Sequence, residues 1–163
     1  MTGPAATAAD VPLVRGAVCV ITDPTRNMLV LQRKDAGYPV AAYRGALACF
    51  GGQAEPGETP AQTIHRELAE EIADVPLRDA VLSALTTVTD VTTRHGHHVW
   101  LYLAVLADLP WQAARIDHLP PHLVCAEGEL VVLDRADVAG QPFAWDNATL
   151  LHAGLGAATG HAP

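Results

Sequence analysis

Apolar and polar positions fall into blocks with different periods along this chain. Val14 to Thr22 is a nearly unbroken β-branched and apolar run that predicts a strand, closed by a turn at Asp23-Pro24. Met28 to Leu31 predicts a second strand that ends near Arg33 and Lys34, and Gly45 to Phe50 is a short apolar run closed by Gly51-Gly52. From Thr59 to Ala73 the spacing changes to that of a helix. Val81 to Thr92 and His98 to Leu106 predict two strands joined as a hairpin through Thr93-Arg94-His95-Gly96-His97. Residues 107–122 hold three prolines and read as a loop, Leu130 to Leu133 as a short strand, and a last helix is expected from near Asp146 to near Gly154. The order of elements predicts an α+β fold, a mixed sheet with helices on its faces, and not a regular βαβ alternation. Residues 1–12 read as a flexible lead, 13–154 as one domain and 155–163 as a tail.

The helical segment carries the chemistry. Thr59 suits an N-cap, Pro60 the first helical position, and Gln62 completes a capping box. Ala61, Ile64, Leu68 and Ile72 are spaced to form one apolar stripe. Glu67, Glu70 and Glu71 stand at i, i+3 and i+4, where carboxylates are neighbours and repel, and Arg66 is the nearby cation. Such carboxylates suit a hard divalent cation that prefers oxygen ligands, such as Mg²⁺. The preceding loop, Gly51-Gly52-Gln53-Ala54-Glu55-Pro56-Gly57, has the glycines to turn sharply and bring carbonyl oxygens to a metal. An acidic helix face alone is usually just solvated. The glycine loop, Glu58 and the Arg66-Glu67 pair together favour a site.

Residues 52–74 resemble the Nudix box, G-x5-E-x7-R-E-U-x-E-E-x-G-U with U a bulky apolar residue. Gly52, Glu58, Arg66, Glu67, Leu68, Glu70 and Glu71 fall on its positions without a gap. The resemblance implies a Nudix-like α/β/α sandwich with a central mixed sheet. It also implies hydrolysis of a nucleoside diphosphate linked to another group, with Mg²⁺ or Mn²⁺ as cofactor. By similarity, Glu70 and Glu71 are expected to bind metal directly, with the Gly51 carbonyl completing the coordination. Glu67 is expected to bind a second metal or to orient the attacking water. Arg66 is expected to orient a glutamate, and Glu58 to hold the loop or an outer water. The family often adds a glutamate from a later loop as ligand or base; Glu127 is the preferred candidate here and Glu129 the second. Two positions depart from the pattern, Ala73 for glycine and Asp74 for the apolar residue. The expectation is that the helix runs one residue further, with Asp74 as the left-handed cap and Val75 in the apolar role.

Other candidates are weaker. Arg33, Lys34 and Arg44 lie near strands that lead towards the site and are candidates for phosphate contact. Trp100 and Tyr102 share one face of a strand, where core packing is preferred to base stacking. His95, His97 and His98 cluster at the hairpin tip, where a solvated role is preferred to a metal site.

Composition narrows the class. The formal net charge of -8, with no basic cluster, speaks against a nucleic-acid binder. The three cysteines, Cys19, Cys49 and Cys125, form no CxxC pair and read as reduced, mostly buried thiols. No segment has the length of a membrane span and the start has no signal-peptide pattern, so a cytoplasmic protein with a small nucleotide-type substrate is expected. A homodimer is compatible with the family. The alternative function is a non-catalytic Nudix domain that binds a nucleotide metabolite. An isoprenoid diphosphate isomerase would need a dedicated acid–base pair, which the sequence does not display. No proline stands where ADP-ribose hydrolases of the family carry one; Asp90 and Val91 occupy that region.

Overall fold

The computed structural model describes residues 14–107, 124–125 and 128–157. Strand β1 (Arg15–Thr22) is its axis: seven of its eight residues are buried, which explains why its sequence is apolar without alternation. Ala17, Cys19 and Ile21 face one core, and Val18 and Val20 face another on the opposite side of the sheet. Along one edge β1 runs parallel to β6 (His98–Val105), from Arg15 opposite His98 to Thr22 opposite Val105. Along its other edge two partners share it. Ile21 and Thr22 pair with β2 (Met28–Lys34), whereas Gly16 to Cys19 pair with β4 (Phe50–Gln53). Beyond β2 lie β8 (Gly128–Asp134) and β7 (Val124–Cys125), and beyond β6 lies β5 (Leu85–Thr92). The short β3 (Leu47–Ala48) also pairs with β2. Only the β1–β6 pair among these ladders is parallel, so the sheet is mixed.

Helices cover both faces. Helix α1 (Pro60–Glu71) starts on the expected capping box, in which the Thr59 hydroxyl accepts from the Gln62 amide and the Gln62 side chain accepts from the Thr59 amide. Its Ile64 and Leu68, and the capping Ile72, are buried in the same core as Ala17 and Phe50. Ala61 is exposed; Thr63 and Glu71 are the other buried positions of the helix. On the opposite face, Leu150, Leu151 and Leu155 of α4 (Asn147–Ala157) pack with Val138 of α3 (Arg135–Val138) and with Val18 and Val20. The result is the expected α+β sandwich. Helix α4 runs past Gly154, where the missing side chain brings the helix onto β1: a Cβ there would stand 2.8 Å from the Val20 Cγ2.

The segment after α1 differs from the expectation. The helix stops at Glu71, and Ile72 caps it in an extended conformation with φ of -100°. Neither Ala73 nor Asp74 has positive φ. Asp74 instead opens a second helix, α2 (Val75–Ala84), as its N-cap, accepting from the Leu77 amide at 2.8 Å. Pro76 in its first turn fits that role. Val75 does not fill the apolar position, being 50% exposed; Ile72 does, at 1%. Residues 81–84, read as strand, therefore belong to this helix, and β5 begins only at Leu85. Ala80 to Leu85 is apolar in too many positions for either period to stand out. The hairpin is as expected, with Thr93 to His97 as its loop, closed by Thr93 N–H to the His97 carbonyl at 2.8 Å.

The capping role of Asp74 is testable by urea unfolding. Asp74→Ala should cost about 1 kcal/mol of stability. Ala73→Gly should also destabilise, since no left-handed strain is present to relieve; a gain in stability from either change would overturn this description of the helix junction.

Candidate functional site

The split of β1 between two partners opens a cleft of about 530 Å³ at the end of the sheet where β4 replaces β2. Gly51 and Gly52 form one wall. Gly51, at φ 130°, lies so close to β1 that a Cβ would stand 2.8 Å from the Val18 Cα, and the approach to the Ala17 carbonyl is closer still. Only glycine fits there. Gly52 has a different reason: a Cβ would stand 2.6–2.8 Å from the carboxylate of Glu67, so the bare backbone makes room for that group.

Glu67 and Glu71 of α1 line the cleft. Glu71 is buried, and both of its oxygens are engaged. Gln32 Nε2 donates to one at 2.9 Å and the Gly51 amide donates to the other at 2.8 Å. Burial pushes the Glu71 carboxyl up to about 7, against the opposing hydrogen bonds and the nearby Lys34 charge. Gln32 is oriented in turn, its Oε1 accepting from Lys34 Nζ at 3.0 Å. Lys34 is itself buried and lines the cleft, with its ammonium 4.8 Å from the Tyr38 ring centroid.

Arg66 holds the acidic groups together. Its Nε donates to Glu58 Oε1 at 2.8 Å and one terminal nitrogen to Glu58 Oε2 at 3.0 Å, a bidentate pair. The other terminal nitrogen donates to Glu67 at 2.8 Å and reaches Glu70 at 3.4 Å. Arg66 also donates to the Gln53 carbonyl at 3.0 Å, tying the helix to the loop. Glu58 fastens the loop from its own side by accepting from the Glu55 amide and the Thr63 hydroxyl. The hydrogen bond from Arg66 holds the Glu58 carboxyl down at about 2 and raises the Arg66 pKa further above its ordinary value.

The three helix glutamates thus do not share one solvated face. Glu70 is 58% exposed at the rim, Glu67 is 14% exposed, and Glu71 points inward. Their carboxylates are hard oxygen donors, the kind that a divalent cation such as Mg²⁺ prefers. Among the described residues, no three His, Cys, Asp or Glu side chains already stand in a metal-holding arrangement. Glu127 lies outside the described residues. Glu129 is exposed on β8, is absent from the cleft wall, and sits 3.9 Å from Arg33. Arg33 turns to the Gly45 carbonyl and Arg44 to the Tyr38 carbonyl; of the three basic candidates, Lys34 alone lines the cleft.

The hairpin histidines diverge. His97 lines the cleft, His98 pairs with Asp90 at 3.0 Å, and His95 pairs with Asp146 at 2.7 Å. Trp100 is half-buried between the His98 ring and the Arg15 guanidinium, and Tyr102 is in the core. Cys19 and Cys49 are buried free thiols, and burial pushes Cys49 up to about 12.

The sequence gives no sign of three residues of this cleft, Tyr38, Trp145 and Asn147, nor of the buried Gln32 that holds Glu71. Residues 142–147 run beside β3 and bring Trp145 and Asn147 in. Leu47 donates to the Pro142 carbonyl at 2.8 Å, Ala144 donates to the Leu47 carbonyl at 2.9 Å, and Asn147 Oδ1 accepts from the Cys49 amide at 2.9 Å. Trp145 sits in the left-handed region at φ 50°, a conformation that costs a non-glycine residue roughly 1–2 kcal/mol. Both its neighbours are fixed. Ala144 is fully buried, and Asp146 is gripped by Arg94 at 3.1 Å and His95 at 2.7 Å from the hairpin loop. Burial works to raise the Asp146 pKa, but the hydrogen bonds and charges of His95, Thr93 and Arg94 outweigh it and leave the carboxyl below its ordinary value.

Comparison with known proteins bears on this geometry. The family model for the NUDIX domain matches residues 12–149. No curated protein sequence matches the chain. Among solved structures, the NUDIX domain of Shewanella oneidensis NrtR complexed with ADP ribose superposes with a TM-score of 0.62 at 19% identity, over 93% of this chain and 92% of that one. Deinococcus radiodurans DR0079 gives 0.60 at 18% identity, over 90% and 88%. A Francisella tularensis bifunctional NMN adenylyltransferase/ADP ribose pyrophosphatase, complexed with AMP and a manganese ion, gives 0.62 at 18% identity, over 91% of this chain and 43% of that one. At these identities the likeness speaks for the fold. No helix among the described residues is long and apolar enough to cross a membrane.

Removing the central cation should be felt first in stability. Arg66→Ala removes a charged donor from the partly buried Glu58 and Glu67 and should cost about 1–3 kcal/mol. Arg66→Lys, which cannot make the bidentate fork, should fall between that variant and wild type. Equal unfolding midpoints for all three proteins would show that Arg66 does not hold the acidic cluster.

Proposed function

The chain belongs to the Nudix family, and on that premise we propose that it is a divalent-cation-dependent hydrolase. Its reaction is cleavage of a phosphoanhydride bond in a nucleoside diphosphate linked to a further group. The observation that carries the reading is the placement of Glu67 and Glu71 in one cleft wall, against a glycine loop tied down by Glu58 and Arg66. The donor set is all oxygen, and Gly52 leaves the space that the Glu67 carboxylate occupies. Both features suit Mg²⁺ or Mn²⁺.

On this reading Glu67, Glu70, Glu71 and the Gly51 carbonyl would hold the cation. Bound there, it would supply charge for the phosphate oxygens and a lowered pKa for a coordinated water. The protein's own groups set the stage. Arg66 and Glu58 keep Glu67 aimed across Gly52, where it is placed to orient the attacking water. Gln32 and the Gly51 amide fix Glu71. Lys34 is positioned to neutralise phosphate. Glu127 is the preferred later-loop base, with Glu129 second. A soluble cytoplasmic enzyme acting on a small nucleotide-type substrate, with no role for nucleic acid or membrane, completes the proposal.

A second reading, binding of a nucleotide metabolite without turnover, is favoured by one observation: Arg66 already engages Glu67 and reaches Glu70. The two readings separate in an assay of ADP-ribose and nucleoside triphosphates with Mg²⁺. Turnover supports the enzyme, and saturable binding without turnover supports the sensor.

Chelation should abolish hydrolysis, and full activity in excess EDTA would refute metal dependence. Millimolar Mg²⁺ should raise the melting temperature of wild type, by an amount equivalent to about 2.7 kcal/mol at a hundredfold excess over Kd. Glu70→Gln should gain much less. An identical response of both proteins to Mg²⁺ and to matched ionic strength would reduce the glutamates to a solvated face.

For the later loop, Glu127→Gln should lower kcat by about 10² or more. Glu129→Gln should leave it within about threefold, since its side chain is exposed and off the cleft. The reverse ranking would transfer the role, and two silent variants would remove this loop from the mechanism.

A further inference from the structure

The cleft is lined by two chemically different kinds of surface. Glu67, Glu71 and the glycine loop supply carboxylate and backbone groups, and Tyr38 and Trp145 contribute aromatic surface in the same cavity. Trp145 is the largest exposed apolar side chain described, 51% exposed, and a tryptophan left half in water needs a reason. Its backbone supplies a second, independent anomaly. Left-handed φ is ordinarily given to glycine or asparagine, yet here it is held by the bulkiest residue.

The surroundings force this placement. Ala144 is locked to Leu47 and accepts from both the Asn147 amide, at 3.2 Å, and the Asn147 side chain, at 2.9 Å. Asp146, 8% exposed, is locked by Thr93, Arg94 and His95. With its two neighbours fixed inward, the residue between them turns outward into the cleft. Tyr43 supports the indole, with ring centroids 4.8 Å apart. A rigid, supported, half-exposed indole in a cleft that also holds carboxylates and Lys34 is suited to a ligand with a flat ring at one end and phosphate at the other.

We propose that Trp145, turned into the cleft between the fixed Ala144 and Asp146, is a stacking platform for the heteroaromatic base of a nucleotide ligand. The proposal rests on the hydrolase reading only in placing phosphate towards Glu67 and Glu71; the stacking itself needs no turnover. Recognition of this kind tolerates different bases, because every base offers a π-face.

The test uses AMP, which has no phosphoanhydride bond to cleave, and ribose 5-phosphate, which is AMP without its base. NMR titration in Mg²⁺ reads weak binding, and the Trp145 indole N–H signal, assigned by its loss in the variants, reports contact directly. In wild type, AMP should move that signal and ribose 5-phosphate should not. Trp145→Gly accepts the left-handed backbone, so its melting temperature should equal or exceed that of wild type. Its AMP affinity should fall about tenfold or more, while its ribose 5-phosphate affinity stays within about twofold. Trp145→Phe should keep most of the AMP affinity. The platform is overturned if AMP leaves the indole signal unmoved, if Trp145→Gly binds AMP as wild type does, or if it loses both ligands equally. Hydrolysis of ADP-ribose is measured separately: a protein that binds AMP on Trp145 without turning over sinks the enzyme and leaves the platform standing.

Discussion

Like charges crowded on one helix must be opposed by something, or the helix and its loop drift apart. Arg66 is that opposing charge. A single guanidinium spans Glu58, Glu67 and Glu70 and also grips the Gln53 carbonyl. Its planar fork lets one side chain satisfy partners in several directions, which an ammonium on a flexible stem would not do. The loop, the helix start and the cleft wall are therefore one electrostatic unit. Their relative positions follow from this unit together with the close packing of Gly51 on β1.

The second organising feature is the sharing of β1. Because β2 takes only its last residues and β4 takes the earlier ones, a gap opens between β2 and β4 at one end of the sheet. Gln32 and Lys34 look into that gap from β2, and Glu71 reaches in from α1. The buried carboxylate is tolerable because two donors meet it there. The same gap admits residues 142–147 from the far end of the chain, so the cleft is assembled from segments that are remote in sequence.

That assembly decides what could be read from the sequence. The acidic helix, its cap and its glycine loop are local features, and Gly52, Glu58, Arg66 and the three glutamates were all recognisable from spacing. The central strands and the hairpin were legible for the same reason. The junction after Glu71 was not. With Ala73 in place of the expected glycine, the sequence makes Asp74 look like the end of one helix, whereas it caps the next one. Gln32 and Trp145 carry no local signal: an isolated glutamine in a strand and a tryptophan before a helix acquire meaning only through contacts with segments remote in sequence. The difference in exposure between Glu70 and Glu71 is likewise set by where the helix lies, not by its repeat.

The pairing of β1 with β6 also governs how the molecule is made. These strands run parallel along their full length, yet β4, α1, α2 and β5 all come between them in the chain. Contacts of such long sequence separation are slow to form, because the loop they close must first be ordered. During synthesis the glycine loop and its helix emerge well before the partner of β1 does. Until β6 arrives, one edge of β1, a strand buried along seven of its eight residues in the finished sheet, lies open, with unpaired backbone groups and hydrophobic side chains on both faces. The strand that positions the cleft is thus also the segment most prone to wrong association in the growing chain.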